Sequence, residues 1–259
     1  MRSATPQSPR LLVPRSIREH GFSAAFTTRL GGVSAPPFAS LNLGASVGDD
    51  PRAVLENHRR VAAELGYDAE ALHTVFQVHG RALRVVTAET RPDEGRAVEA
   101  DALVAKLPGA ALGVRVADCV PVLVADPETG AVAAIHAGWK GVVARVIDAT
   151  LDALACPSPE RLVVAVGPHI GPCCFEVGPE VADALVAVSH PGVRLDRPAR
   201  RPHADLGAAV TDQLRRRGVT AVEPVGGCTV CNVSTFFSYR HEGPQSGRMM
   251  GLIVSRAPR

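Results

Sequence analysis

A mixed α/β or α+β chain is predicted by two observations. Short β-rich runs alternate irregularly with amphipathic helical stretches, and those stretches carry capping residues at their ends. With 259 residues, 46% of them apolar, the chain is long enough for a substantial core. Residues 1–15 read as a flexible tail, because Pro6, Pro9 and Pro14 break any periodicity, and 16–259 as a single domain. Asp49-Asp50-Pro51 opens a helix whose apolar positions Val54, Leu55, Val61, Ala62 and Leu65 precede Gly66. Thr74 to His79 reads as a strand, followed by Leu112 to Val116, Cys119 to Ala125 and Ala131 to His136. Gly141 to Leu154 is predicted helical, Leu162 to Val166 a strand, and Pro179 to Val188 and Asp205 to Arg217 helices, the last stopped by Gly218. Met250 to Val254 is the final strand.

Composition narrows the function. A formal charge of +2 with no basic stripe argues against a nucleic-acid binder. The longest apolar runs are far short of a membrane span, and the N-terminus lacks the apolar core of a secretory signal, so a cytoplasmic location is expected. In a reducing compartment, six cysteines serve more readily as ligands, nucleophiles or core residues than as disulfides.

The chemistry concentrates between Leu112 and Leu154. Pro127-Glu128-Thr129-Gly130 is a turn signal between two β-rich runs; with Asp126 opposite Ala131, His136 lies opposite Pro121. Pro121 has no N–H for the ladder, so this register requires a non-hydrogen-bonded pair or a strand start. Cys119, two residues from Pro121, then becomes a diagonal neighbour of His136. The following Ala137-Gly138-Trp139-Lys140-Gly141 permits an irregular turn into a helix, able to receive an anion beside Lys140. His79 ends another β-rich run; with Cys119 and His136 it would complete a three-ligand Zn²⁺ site with one open position. Nothing in the spacing brings His79 to the pair. Cys173-Cys174 with Cys228-Thr229-Val230-Cys231 forms a poor four-thiolate chelate in extended chain, because adjacent side chains point opposite ways. Cys228 and Cys231 read better as packing or redox cysteines, and Cys156 as core or surface filler.

Taken together, these segments resemble the laccase-domain family, also called multicopper polyphenol oxidase or YfiH-like, many of whose members are described as purine nucleoside phosphorylases. The resemblance runs through Thr27-Thr28-Arg29-Leu30-Gly31-Gly32-Val33-Ser34, Ser40-Leu41-Asn42-Leu43-Gly44 and Val47-Gly48-Asp49-Asp50-Pro51. It continues in Gln77-Val78-His79-Gly80, Ala100-Asp101-Ala102-Leu103-Val104, Ala117-Asp118-Cys119 and His136-Ala137-Gly138-Trp139-Lys140-Gly141. The segment from Gly167 to Gly178 and Phe236-Phe237-Ser238-Tyr239-Arg240 complete it. The resemblance implies mixed β-sheets packed between helices in layers, and a metal site of His79, Cys119 and His136. It also implies phosphorolysis of purine nucleosides and deamination of adenosine; some members edit peptidoglycan precursors, and older descriptions call them laccases. Where the family often continues Tyr-Arg-Arg, this chain has His241 after Arg240.

The expected activity is therefore a zinc-dependent purine nucleoside phosphorylase with adenosine deaminase activity, taking nucleoside and phosphate as small-molecule partners. Zn²⁺ is the expected cofactor, and Cu²⁺ a competitor for the same ligands. Side-chain chemistry suggests Arg29, Lys140 and Arg240 for anion or sugar contacts, Gln77 and Asn42 for neutral polar contacts, and Asp118 to orient a water or an imidazole. The alternative is an amide hydrolase in which Cys119 attacks and His136 is the base. A multicopper oxidase ranks third, since nine histidines include no His-x-His pair.

Overall fold

The computed structural model describes residues 8–198 and 200–258. Its strands are β1 (Leu11–Leu12), β2 (Ser23–Thr27), β3 (Leu72–His73), β4 (Leu83–Val86), β5 (Ala102–Ala105), β6 (Ala111–Val116), β7 (Val120–Ala125), β8 (Val132–Ala137), β9 (Val163–Val166), β10 (Arg194–Leu195), β11 (His203–Ala204), β12 (Ala221–Pro224) and β13 (Met249–Val254). The helices are α1 (Arg15–Glu19), α2 (Pro51–Leu65), α3 (Trp139–Val143), α4 (Val146–Leu154), α5 (Pro179–Ala187), α6 (Leu206–Arg216) and α7 (Tyr239–Glu242). None of them is long and apolar enough to cross a membrane.

Two mixed sheets form the centre, in the orders β1-β2-β13-β6-β3 and β12-β9-β7-β8-β5-β4. Alternation along each strand sends one set of side chains to each face. Ala24, Phe26, Leu112, Val114 and Ile253 of the first sheet meet Leu103, Leu123, Ala134 and Ala165 of the second in one buried cluster. The opposite face of the second sheet, including Val104, Val122, Ile135 and Val164, packs on Ile147 and Leu151 of α4, Leu185 of α5 and Val210 of α6. Ala25, Met250 and Leu252 on the outer face of the first sheet pack on Val61 and Leu65 of α2. The order of layers is helix, sheet, sheet, helix, as expected for mixed sheets between helices.

The hairpin that carries two of the expected ligands has the predicted register, with Pro121 opposite His136 and Val122 opposite Ile135. Their pair is non-hydrogen-bonded across the hairpin. The His136 N–H turns away to donate to the Asp101 carbonyl at 2.7 Å, and the Pro121 carbonyl accepts from the N–H of Gly167 at 2.9 Å. Proline is thus tolerated inside a sheet at a position whose missing N–H disturbs no bond to β8.

Three expectations change. Leu11–Leu12 is not a loose tail but pairs with Phe26 and Thr27, while residues 1–7 of that tail lie outside the described residues. The helix expected over Gly141 to Leu154 is divided between α3 and α4, where Arg145 has a φ of 68°. Thr74 to His79 is not a strand: only Phe76 bridges to Glu99, and His79 has a φ of 60°. The N–H groups of Val78, His79 and Gly80 donate instead to the Asp101 carboxylate at 3.3, 2.9 and 2.6 Å. A buried carboxylate has replaced the strand ladder as their acceptor.

Candidate metal centre

Cys119 lies just before β7 and His136 near the end of β8, and the His79 loop closes over both. Their ligand atoms all lie within 4.8 Å of one another. The two imidazoles meet edge to face, with ring centroids 4.8 Å apart. This close approach depends on Gly138: a Cβ there would stand 2.8 Å from His79 Cδ2 and 3.1 Å from Cys119 Sγ. Gly138 itself has an extended backbone with φ −74°, so it supplies space and not the irregular turn expected of it.

Asp101 organises the centre. It is wholly buried, and the His136 Nδ1–H donates to its Oδ1 at 2.7 Å, leaving Nε2 as the ring atom available to a metal. Burial alone would raise the Asp101 carboxyl, but His136 and the N–H groups of His79 and Gly80 hold it below its ordinary value. Burial likewise pushes the Cys119 thiol up, yet the neighbouring His136 and His79 more than offset this and favour thiolate. His136 is shifted the other way: burial disfavours its charged form, and the Cys119 and Asp101 negative charges overcome that penalty. Two imidazoles, a ready thiolate and a carboxylate behind one imidazole suit a Zn²⁺ site with an open fourth position. Cu²⁺ would be held by the same atoms.

The open side faces a cavity of about 590 Å³. Gln77, Asp118 and Arg240 line it, as do Phe76, Arg115, Phe175, Tyr239 and Arg248. Gln77 is fixed in place, its amide exchanging bonds of 2.7 and 2.8 Å with the Arg115 backbone. Phe76 and Tyr239 are 53% and 51% exposed, leaving aromatic faces open to a ligand. Arg248 is held by the Ser246 and Gly247 carbonyls at 2.7 and 3.0 Å. Burial lowers its pKa, while the negative groups of Cys119 and Asp118 oppose that shift.

Other expected site residues have different work. Arg29 does not reach the cavity lining: its guanidinium donates to the Ala39 and Val233 carbonyls and to Glu242 Oε1 at 2.8 Å, and lies over the Phe237 ring. Asn42 is wholly buried, its Oδ1 accepting from the N–H groups of Gly44 and Arg248 and its Nδ2 donating to Asp49. It shapes the chain behind the cavity. Lys140 is exposed, with its ammonium 5.7 Å from the Trp139 ring centroid, and lies outside the lining. Asp118 orients no imidazole, since both its oxygens are engaged. Thr229 Oγ1 donates to one at 2.5 Å and the Arg240 N–H to the other at 2.6 Å. The carboxylate behind the imidazole is Asp101, and its signal in the sequence was a charged residue inside the apolar run Ala100-Asp101-Ala102-Leu103-Val104. Arg115 and Arg248 had no comparable signal. His241 is exposed and outside the lining.

The cysteine expectation also needs correction. Residues 172–174 form a turn, not extended chain, and Cys173, Cys174, Cys228 and Cys231 converge with their sulfur atoms within 4.8 Å. The opposed directions assumed for adjacent cysteines hold only for a strand.

Comparison with known proteins places this arrangement. Residues 23–256 match the family model described as multi-copper polyphenol oxidoreductase laccase. A protein of Pseudomonas aeruginosa named purine nucleoside phosphorylase PA4543 is 44% identical, covering 89% of this chain and 92% of that one. A purine nucleoside phosphorylase of Deinococcus radiodurans is 42% identical over 96% of this chain and 93% of its own. Among solved structures, the hypothetical protein YfiH of Bacillus licheniformis superposes with a TM-score of 0.88 at 30% identity, covering 98% of each chain. Sequence match and superposition both span nearly the whole chain, and the protein belongs to the multi-copper polyphenol oxidoreductase laccase family, the YfiH-like proteins.

Proposed function

We propose that the chain is a zinc-dependent purine nucleoside phosphorylase that also deaminates adenosine. The observation that carries this reading is the single cavity in which His79, Cys119 and His136 share a lining with Arg115, Arg240, Arg248 and the rings of Phe76 and Tyr239. Its volume lies in the range of small-molecule sites. The names of the Pseudomonas and Deinococcus relatives support the phosphorylase part of this reading.

In phosphorolysis, a phosphate oxygen bonds to the anomeric carbon of the ribose while the bond to the purine nitrogen breaks, and the base leaves with that electron pair. The guanidinium groups hold the phosphate dianion at the anomeric carbon, offsetting its charge and removing the entropic cost of the encounter. Arg240 is placed for this by the Asp118 contact to its N–H and by its own bonds to the Cys174 and Glu176 carbonyls. Phe76 and Tyr239 offer apolar surface to the purine or the ribose. His79, Cys119 and His136 would hold a zinc ion, which when bound would supply Lewis acidity for hydrolytic loss of an amino group. Asp101 keeps the His136 proton on Nδ1 throughout.

The direct test incubates zinc-loaded protein with phosphate and adenosine, inosine, guanosine or methylthioadenosine, reading ribose 1-phosphate (or its methylthio analogue) and ammonia. No product above the background of the His79→Ala and His136→Ala proteins overturns the assignment.

A second reading draws on the adjacency of Cys119 and His136. With no metal bound, the pair has the thiolate and imidazolium character of a Cys-His amide hydrolase, with peptidoglycan precursors as candidate substrates. Stoichiometric labelling of Cys119 by an electrophilic amide in metal-free, active protein establishes that reading, whereas protection of the thiol by zinc excludes it. Copper-loaded polyphenol oxidation ranks below both. Among the described residues only one ligand cluster contains histidine, too few donors for several copper ions.

A further inference from the structure

Of the five cysteines unused by the catalytic centre, four lie behind the wall that carries Phe175 and Arg240. Cys173 Sγ and Cys174 Sγ each stand 3.5 Å from Cys231 Sγ, and all four sulfur atoms fall within 4.8 Å of one another as free thiols. We propose that Cys173, Cys174, Cys228 and Cys231 form a second metal centre, a four-thiolate Zn²⁺ site that joins two loops of the cavity wall.

Sulfurs bound tetrahedrally at ~2.3 Å from zinc lie roughly 3.8 Å from one another, and the observed 3.5 Å separations are close to that edge. The surrounding backbone is shaped for sulfur. A Cβ on Gly171 would stand 3.1 Å from Cys228 Cβ and 3.3 Å from Cys173 Sγ, so glycine leaves the space the thiols occupy. The Gly171 N–H donates to Cys228 Sγ at 3.2 Å, a bond that favours thiolate over thiol. Four soft sulfur donors in this arrangement select zinc over hard cations such as Mg²⁺ or Ca²⁺. All four positions belong to the protein, so the centre has no place for substrate and acts structurally.

What it holds is the far wall of the cavity. The Cys174 carbonyl accepts from Arg240 Nη1 at 3.3 Å, and Phe175 beside it lines the cavity. Thr229, between Cys228 and Cys231, donates to Asp118, which in turn accepts from the Arg240 N–H. A metal tying the 171–174 turn to the 228–231 turn therefore fixes two of the three supports of Arg240, the Cys174 carbonyl and Asp118.

The test counts zinc in full-length protein purified under reducing conditions. About two equivalents per chain are expected in the unaltered protein and about one in Cys119→Ala, whose four remaining thiols at this site are intact. Cys173→Ser combined with Cys231→Ser loses the equivalent that Cys119→Ala retains, and Cys156→Ser loses neither. Cobalt-loaded Cys119→Ala gives a second reading independent of the serine protein's folding: intense sulfur-to-cobalt charge transfer with tetrahedral d–d bands. Cys119→Ala protein free of zinc and lacking those bands overturns the proposal. So does a Cys173–Cys231 or Cys174–Cys231 disulfide formed in preference to metal binding when zinc is supplied.

Discussion

The two sulfur-bearing clusters flank one cavity and are built in opposite ways. His136 stands on a strand and Cys119 at a strand entry, in a sheet whose inner residues are wholly buried, and only His79 comes from a loop. The four-cysteine cluster stands on two turns, with Cys173 and Cys231 exposed. The first is positioned by ladder hydrogen bonds and core packing that exist without a metal. The second joins loops that share few such bonds, and there a bound metal contributes most to local order. One cluster is preformed by the sheet with an open side; the other, as proposed above, acts as a fastening.

The largest expected effect comes from removing a ligand of the preformed site. His136→Ala should abolish activity and metal binding at that centre while leaving the protein folded, as measured by metal content and circular dichroism. Unfolding of this protein would show that the site's frame also depends on the metal, and the contrast would fail. Asp101→Asn comes next, with a loss of about 10–100-fold in metal affinity or activity, because the carboxylate fixes the ring of His136. Asp118→Asn should instead leave zinc affinity unchanged and raise KM for phosphate, since its contacts run to Thr229 and Arg240. Equal loss of zinc in both proteins would show that Asp118 belongs to the metal centre after all.

How much of this was legible follows from the same contrast. The β7–β8 register could be read because the turn signal between two apolar β-rich runs fixes it locally, and it placed Cys119 near His136. The α2 helix was legible for a similar reason: Asp50 accepts from the Arg52 N–H and Gly66 takes a φ of 72° at its end. The sheet order was not legible, because β13 inserts between β2 and β6 through contacts far apart in sequence. His79 could be recruited only by resemblance, since its loop is shaped by Asp101, 22 residues later. The cysteine cluster is not legible in the sequence, because the direction of adjacent side chains differs between a strand and the turn that residues 172–174 make. Arg115 and Arg248 reach the cavity through the fold alone, with nothing in their neighbours to mark them.

Paired glycine substitutions sharpen the comparison at a smaller scale. Gly138→Ala places a methyl 2.8 Å from a His79 ring carbon and 3.1 Å from Cys119 Sγ, so a ligand must shift and weaker zinc binding at that centre is expected. Gly171→Ala meets its nearest neighbour at 3.1 Å in a partly exposed turn that has room to shift, and a lesser effect is expected there. Metal titration of both proteins checks the order; a larger loss at Gly171 would make the loop-borne cluster the more rigid one.

The smallest effect at the metal centre is expected from Asp126, at the far end of the same hairpin. Its buried carboxylate accepts from Arg161 Nη2 at 2.7 Å and Nε at 3.0 Å, from Thr129 Oγ1 at 2.8 Å and from the Glu128 N–H at 3.0 Å. Burial opposes its ionisation, but Arg161, Thr129 and Glu128 together hold the carboxyl below its ordinary value. The resulting stability is therefore present above the unfolded pKa of about 3.9 and is lost as pH falls through the lower, folded value. Asp126→Asn should cost about 1.5–3 kcal/mol near neutral pH, the range for hydrogen bonds to a charged group, and should flatten the stability profile below pH ~4. Zinc affinity should barely change, because five residue pairs, from Ala125–Val132 to Pro121–His136, and the buried core still hold the register between the turn and His136. A parallel loss of zinc and stability in chemical denaturation would mean that the turn, and not the ladder, sets the position of the ligands.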